Sequence, residues 1–287
     1  MRIGYLSTFE HHWNTESEIA DHLELAGHTV ERFQYNRFNK EDFLARKFDL
    51  VLTALPQCIE PEFWARVKAP KVAWYFDLIF GWGDREKQYL PSLKHFDLVI
   101  STDGYEDRYA EHGIKRVWMP HGFDARKYFP VMPDANYDIA FVGHIYTDRR
   151  KAIIQGLIRD FGLKVFGISD ICWGERYSRI CASAKIIFCD NAVNDIPGYW
   201  SDRLYLSEGC QAFILHPAVP GIESQFTPGE HFDTWHDEAD LHEKIRYYLA
   251  HDSERREMAE AGHAHALEFH TTEKRVEEFN RILESAL

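Results

Sequence analysis

Two arginines stand where an apolar strand is expected to give way to a helix. The stretch Gly143–Arg150, GHIYTDRR, follows an apolar run and opens a segment with helical periodicity. Glycine lets a backbone approach a ligand closely, and the N–H groups at a helix start attract phosphate. Arg149 or Arg150 could add a bidentate contact, and His144 and Tyr146 lie in the same turn. The pattern predicts an anion site, although a capped helix with two solvated arginines would have the same sequence.

A second stretch of this kind is Tyr199–Pro220, YWSDRLYLSEGCQAFILHPAVP, which reads as loop, helix, buried strand and loop. Asp202 and Arg203 lie at the start of the helix, where Arg203 could bind a phosphate. The alternative is a surface ion pair, which contributes little to stability. Tyr199 or Trp200 could stack on a base or a sugar, and core packing is an equally good explanation for both.

Acidic and imidazole side chains follow two of the expected strands. Asp77 comes directly after the strand Lys71–Phe76, and ligands of open α/β sheets bind at the carboxyl ends of strands. Asp77 could therefore act as a general base, or it could only cap the following turn. His11 and His12 follow the first strand at the same edge and are the other candidates for the base, since histidine titrates near neutral pH.

The elements around these residues alternate between strand and helix. Their apolar runs lack polar alternation, which is typical of parallel strands covered on both faces. The segment Pro120–Asn136 has three prolines and no helical period, so it separates two βα series. The sequence therefore predicts an α/β protein with two doubly wound Rossmann-like domains. The first turn has no GxGxxG, which argues against a dinucleotide site.

Local signals set some of the helix ends. Thr15-x-x-Glu18 has the spacing of a capping box, which predicts that the first helix begins there. Gly262 is expected to end a helix that begins at Ser253, because glycine commonly follows the last helical turn.

Composition limits the class of protein. The net charge of −13 and the pI of about 5.6 disfavour a protein held to nucleic acid or to an acidic membrane by bulk charge. The five cysteines are scattered and form no CxxC pair, so neither a zinc site nor a disulfide framework is expected. With no apolar leader and no membrane-length run, the expectation is a soluble cytoplasmic protein without stable membrane insertion.

Three stretches together resemble the group 1 glycosyltransferases of the GT-B kind, most closely the spore-coat-maturation glycosyltransferase-like family. They are Tyr199–Pro220, Asp138–Arg150 and Leu241–Arg275, and the linker sequence MPHGFDARKYFP is also similar to the family's linker. The resemblance implies two domains facing a cleft, with an acceptor-side domain over residues 1–134. It also implies a nucleotide-sugar domain over 135–270 and a C-terminal helix, 271–287, that crosses back to the first domain.

The resemblance places Arg203, and an arginine at 149 or 150, near the leaving diphosphate. It also exposes a departure from the family pattern. Many members have a ribose-binding glutamate three residues after the arginine, where this chain has Leu206, and the nearest acid is Glu208. The glycine expected near the end of that helix is Gln211. Glu208 therefore stays a candidate for the donor site, with its role open.

The activity that the resemblance implies is transfer of a sugar from a nucleotide sugar to an acceptor hydroxyl without a required metal. No DxD triplet follows an apolar strand, and Asp190-Asn191 is the nearest imitation. The acceptor would be a glycan, a small molecule or a modified DNA base. Two alternatives stay open: a phage-type glycosyltransferase acting on a hydroxylated DNA base, which the acidic balance disfavours, and a non-catalytic protein that binds nucleotides or sugars.

Overall fold

The structure, a computed structural model, describes residues 1–167 and 171–286. This part of the chain divides into two units, each built round its own sheet. Unit 1 comprises Met1–Pro120 and the C-terminal residues from Thr272, and unit 2 comprises His121–Thr271. The strand pairs of both sheets are parallel. The predicted α/β class with two Rossmann-like units is confirmed.

The strands and helices are numbered in chain order. The strands are β1 (Arg2–Ser7), β2 (Thr29–Gln34), β3 (Leu50–Thr53), β4 (Lys71–Tyr75), β5 (Leu98–Ser101), β6 (Arg116–Trp118), β7 (Tyr137–Val142), β8 (Lys164–Phe166), β9 (Ala184–Phe188), β10 (Ile214–Pro217) and β11 (Asp233–Trp235). The helices are α1 (Thr15–Leu25), α2 (Lys40–Ala45), α3 (Pro61–Arg66), α4 (Arg85–Leu93), α5 (Glu106–Glu111), α6 (Asp148–Phe161), α7 (Glu175–Ser183), α8 (Arg203–Gly209), α9 (Glu238–Ala250), α10 (Asp252–Phe269) and α11 (Thr272–Ala286).

The sheet of unit 1 has the order β2-β1-β3-β4-β5-β6 and carries a core on each face. On one face α1 and α11 pack together, with Ile19 and Leu23 from α1. Trp74 of β4 stacks on Phe279 of α11 with ring centroids 5.1 Å apart. The last helix of the chain therefore completes the core of unit 1.

The loop between β1 and α1 is fixed by hydrogen bonds. Asn14 is the N-cap of α1, since its side-chain oxygen accepts from the Ser17 N–H at 3.0 Å. The Ser17 hydroxyl donates to the His11 carbonyl at 2.9 Å, and the Phe9 N–H donates to Gln34 at 2.7 Å. The predicted start at Thr15 is correct for the helix, but the cap is Asn14 because its side chain reaches the third N–H of the first turn.

The sheet of unit 2 has the order β11-β10-β9-β7-β8. The proline-rich segment before β7 belongs to this unit. Phe123 and Tyr128 are buried, and the Phe123 N–H donates to the His270 carbonyl at 3.2 Å. The boundary between the units therefore lies after Pro120, whereas the sequence-based boundary was placed at 134.

Helix α10 runs through Gly262, so the predicted stop at this glycine is wrong. The reason is packing. A Cβ at 262 would overlap the carboxyl group of Glu208 on α8 and the carbonyl oxygen of His231. Glycine at this position lets α10 approach α8 closely, and its backbone keeps helical geometry. In the described residues, no helix combines the length and apolar character needed to cross a membrane.

Candidate functional site

Unit 2 has a cavity of about 510 Å³ at the carboxyl edge of its sheet. The end of β7, the turn after it, the segment before α7 and the first turn of α8 provide its walls. The lining residues are Val142, Gly143, His144, Tyr146, Gly167, Ile171, Cys172, Trp173, Tyr177, Asp202, Arg203 and Leu206. The structure thus brings together residues from both stretches that the sequence singled out.

Gly143 is the point where the backbone and a cationic side chain come close. Its φ of +147° is rarely adopted by residues with a side chain. A Cβ at this position would lie 2.7 Å from Nη1 of Arg203. Only glycine therefore allows both the turn after β7 and the position of the guanidinium above it.

Arg203 is held in the cavity wall with one donor left over. Its Nη2 donates to the Asp190 carbonyl at 2.9 Å, and its Cζ lies 5.5 Å from the centroid of the Phe141 ring. Its Nε is buried and has no hydrogen-bond partner among the residues that the structure describes. A buried donor without a partner costs free energy, and an anionic ligand in the cavity would relieve that cost.

Arg150 has a different structural role. It is 2% exposed, and it donates from Nε to Asp190 Oδ2 at 3.0 Å, from Nη2 to the Asp190 carbonyl at 2.8 Å and from Nη1 to the His144 carbonyl at 2.8 Å. These contacts tie the turn after β7 to the end of β9. Arg150, predicted as a possible diphosphate ligand, therefore supports the site and does not line the cavity.

Arg149 is 43% exposed and donates to Asp190 Oδ1 at 2.7 Å and to the Asn191 carbonyl at 3.0 Å. It also lies outside the cavity lining. Together, three guanidinium groups surround the single buried carboxylate of Asp190 and leave a positive excess beside the cavity. Such an excess favours a ligand with negative charge, and a diphosphate fits this requirement.

Of the three aromatic residues that the sequence singled out, the structure places one in the cavity lining. Tyr199 and Trp200 are buried, and Trp200 Nε1 donates to the Tyr205 hydroxyl at 2.9 Å, so both pack in the core. Tyr146, which is 71% exposed, and Trp173, which is 39% exposed, line the cavity. Trp173 was missed in the sequence. Its signal was a tryptophan next to Gly174 in the loop before α7.

The acids at α8 divide between the cavity and the core. Asp202 lines the cavity and accepts from the Ser201 hydroxyl at 2.9 Å. Leu206, at the family's glutamate position, also lines the cavity.

Glu208 lies in the core, fully buried beside Gly262. Among the described residues, neither of its carboxyl oxygens has a hydrogen-bond partner. Burial raises the pKa of Glu208 well above its usual value. Glu208, predicted as a donor ligand, therefore packs α8 against α10.

His216 ends β10 and is fully buried. Burial lowers its pKa to about 4, with a smaller contribution from the positive charge of Arg203. Its Nδ1 lies 2.8 Å from the Pro217 carbonyl and must therefore carry the proton. The His-Pro pair of the resemblance thus supplies a neutral imidazole that fixes the end of the strand.

In unit 1 the predicted catalytic residues lie at the carboxyl edge of the sheet. Asp77 Oδ2 lies 2.6 Å from Arg85 Nη1, and its Oδ1 accepts from the Leu78 N–H at 2.8 Å. His11 and His12 are exposed and flank Trp13, with His11 stacked on it at 4.4 Å between centroids. Asp77 is thus engaged by a cation and a backbone donor, and its catalytic role stays a prediction.

The part of the chain that the structure describes holds no group of three or more His, Cys, Asp or Glu side chains that could bind a metal ion. Asp190, the nearest imitation of a metal motif, has both carboxyl oxygens bound by arginines.

Part of the chain is similar to a known protein family. Residues 145–281 match the family model described as glycosyl transferase-like. No curated protein matches the chain in sequence. The match covers α6, the cavity segment before α7 and α8, and it begins two residues after Gly143.

Solved structures of similar fold extend the likeness over the whole chain. HepE from Anabaena, in complex with UDP-glucose, has a TM-score of 0.74 at 10% identity, covering 99% of this chain and 100% of the other. Sucrose-phosphate synthase from Thermosynechococcus elongatus has a TM-score of 0.68 at 13% identity, with 100% of each chain covered. The β-glucosyltransferase of phage T4 has a TM-score of 0.66 at 14% identity, covering 100% and 99%.

The fold is that of the two-domain GT-B glycosyltransferases, as the sequence resemblance predicted. The narrower resemblance to the spore-coat-maturation branch stays a prediction.

Proposed function

We propose that this protein transfers a sugar from a UDP-sugar to an acceptor hydroxyl, without a required metal. The observation that carries the proposal is the cavity of unit 2, where the guanidinium group of Arg203 lies against the close turn at Gly143. A leaving diphosphate needs positive charge that is already in place, because no solvent then has to reorganise in the transition state. Arg203 is the residue we assign to this contact, and Arg149 and Arg150 keep the field around it positive.

The nucleoside would lie against the exposed aromatic residues. Tyr146 and Trp173 offer ring faces for stacking on a base. Leu206 cannot accept a hydrogen bond from ribose, so we assign that role to Asp202, the acid that lines the cavity. Uridine is our choice of nucleoside because similar structures were determined with UDP or UDP-glucose.

The charges of the site support the proposal that no metal is required. The one buried acid beside the cavity, among the described residues, is Asp190, and arginines occupy both of its oxygens. Guanidinium groups would then neutralise the diphosphate, as a divalent cation does in other enzymes. All five cysteines are free thiols, which fits the cytoplasmic location predicted from the sequence.

We assign the acceptor to unit 1. A similar fold occurs in an α-glucosyltransferase determined in complex with UDP-glucose and DNA, at 9% identity and a TM-score of 0.62. That likeness concerns the fold alone, and the net charge of −13 disfavours DNA. A glycan or a small molecule with a free hydroxyl is therefore the acceptor we favour.

A thermal-shift series tests the donor. UDP and UDP-glucose should raise the melting temperature, because a ligand that binds only the folded state stabilises it, and ADP and GDP should raise it less. UDP release from UDP-glucose should continue in EDTA. Activity that disappears with EDTA and returns with Mn²⁺ would contradict the metal-free mechanism. Binding of UDP without any release of UDP from UDP-sugars would favour the non-catalytic alternative.

A further inference from the structure

Unit 2 has a second cavity, of about 470 Å³, at the edge of its sheet where the strands begin. Its walls are the segment before β7, the end of α7 with the start of β9, the turn between α8 and β10, and the first turns of α10. Sites for small molecules have volumes of roughly 300–1,000 Å³, so this cavity has room for one. Among the described residues, it shares no lining residue with the cavity around Arg203, which lies at the carboxyl edge.

The charged side chains that line the second cavity are three cations and one acid. Arg255 Nη2 lies 2.5 Å from Asp252 Oδ1, and Arg256 Nη2 lies 2.6 Å from Oδ2 of the same carboxylate. Lys185 Nζ lies 2.6 Å from Oδ1 of Asp138, an acid outside the lining. When both acids are counted, these residues keep one excess positive charge in a protein whose net charge is −13. A local excess of this kind favours an anionic ligand.

One of the three cations is fixed, and the other two can adjust to a ligand. Arg255 is 4% exposed and also donates from Nη1 to the Tyr248 carbonyl, so its guanidinium group is held in the wall. The side chains of Arg256 and Lys185 are 75% and 40% exposed. Guanidinium and ammonium groups both bind phosphate oxygens by charge-assisted hydrogen bonds. The cavity therefore offers a phosphoryl group one preorganised cation and two mobile ones.

The second cavity also has neutral hydrogen-bonding groups. Asn136 and Gln211 line it, and each amide has two N–H donors and a carbonyl acceptor. Helices α7 and α8 end at this edge, and the last carbonyl groups of a helix have no partner within the helix. Hydroxyl groups can both donate and accept, so they match such a surface. A ligand with hydroxyl groups and a phosphoryl group would use both parts of the lining.

We propose that the second cavity binds a small sugar phosphate. The phosphoryl group contacts Arg255, Arg256 and Lys185, and the hydroxyl groups contact Asn136 and Gln211. The inference goes beyond the proposed function and does not depend on it, because the two cavities lie at opposite edges of the sheet.

The test is a calorimetric titration of the Arg203→Ala chain, in which the donor site has lost the guanidinium group assigned to the diphosphate. Glucose 6-phosphate should bind as one molecule per chain, with a Kd on the order of 1 mM or lower. Inorganic phosphate and glucose, titrated separately at the same ionic strength, should each bind at least about tenfold more weakly, because each lacks part of the contacts.

Two further changes to the Arg203→Ala chain locate the site. Lys185→Ala and Arg256→Ala together should weaken binding of glucose 6-phosphate at least about tenfold, the scale for loss of a charged hydrogen bond. Both side chains are exposed, so the fold should persist, and the melting temperature checks this. Arg159→Ala, an exposed arginine of α6 paired with Asp160, is the matched control and should leave the binding unchanged.

Three results would overturn the inference. They are no saturable binding of glucose 6-phosphate in the millimolar range, equal affinity in the chain without Lys185 and Arg256, and binding of inorganic phosphate as tight as that of glucose 6-phosphate. Each of them would leave the proposed function standing. A wild-type chain that neither binds UDP nor releases it from UDP-sugars would overturn the proposed function and leave the second site standing.

Discussion

At the scale of single residues, three arginines of the same type do different work. Arg150 is buried and fully bonded, Arg149 is exposed and paired with Asp190, and Arg203 keeps an unpartnered donor in the cavity wall. A ligand that carries negative charge gains most from the arginine whose donor is not yet satisfied. The chemistry thus depends on which donors the surrounding carbonyl and carboxylate oxygens have already taken.

Replacing Arg203 with alanine should slow UDP release from UDP-glucose by two to three orders of magnitude, roughly the cost of losing one electrostatic stabiliser of a leaving group. The fold should persist, because Arg203 makes a single hydrogen bond through Nη2 to Asp190. Rates and melting temperature of Arg203→Ala would be compared with those of Arg159→Ala, an exposed arginine on α6 paired with Asp160. Near-normal turnover in the Arg203 variant would remove it from the donor site.

The Arg150→Ala variant should instead have a lower free energy of unfolding as its main defect. It leaves Asp190 with fewer partners in a buried place, and breaking one member of a buried ion pair typically costs about 3–5 kcal/mol. This expectation separates a supporting arginine from a ligand-binding one in the same denaturation and rate measurements.

Glu208 makes a prediction about pH. Its pKa is raised by burial, so its contribution to stability is present below pH 4.5 and is lost as pH rises toward the raised pKa. Glu208→Gln cannot ionise, so its free energy of unfolding relative to wild type should increase from pH 5 to pH 9. Urea denaturation at several pH values measures this. Glu257→Gln, at an exposed position of α10, should show no such trend, and a flat difference for Glu208→Gln would contradict a buried protonated acid.

At the scale of elements, α8 ends in a geometry that its sequence does not favour. Gln211 has a φ of +58°, and the Gln211 and Ala212 N–H groups donate to the Glu208 and Ser207 carbonyls at 2.9 and 3.0 Å. This is a left-handed helix terminus, where glycine is preferred. The family resemblance places a glycine here, and the backbone keeps the shape that the glycine would have had.

Gln211→Gly should therefore stabilise the protein by up to about 1 kcal/mol, since a left-handed conformation costs an L-residue roughly 1–2 kcal/mol and glycine loses part of this gain in chain entropy. Gly162 provides the reverse experiment at the end of α6. It has a φ of +66°, and a Cβ there would meet no atom within 4 Å, so Gly162→Ala tests conformation alone and should destabilise by about 1 kcal/mol. If both substitutions changed the free energy of unfolding in the same direction, this account would be contradicted.

At the scale of the whole molecule, each unit has its own sheet and core, and the chain returns to unit 1 only through α11. The residues that line the cavity all lie in unit 2.

UDP alone should therefore protect amide hydrogens unevenly. Hydrogen exchange should slow most in the cavity turns around Gly143, Trp173 and Arg203, because local opening there would lose the ligand. The strands β2, β3 and β6 of unit 1 should change least. Equal protection of both sheets would contradict a donor site confined to unit 2.

The sequence by itself determined the class of fold, and it singled out two stretches that line the cavity of unit 2. Apolar runs without alternation specify buried parallel strands, and their local periodicity does not depend on distant residues. Gly143 and Arg203 could be singled out for the same reason, since a strand-to-helix turn with a basic residue is a local pattern.

Only the tertiary structure decided which members of each motif line the cavity. Trp200 and Trp173 are the same residue type in similar loops, yet one is buried and the other exposed, because burial depends on what packs against the loop. In the sequence, Gly262 has the pattern of a helix end. In the structure it lies inside α10 and contacts Glu208, which is 54 positions earlier in the chain. Contacts between residues distant in sequence set these roles, and no local pattern encodes them.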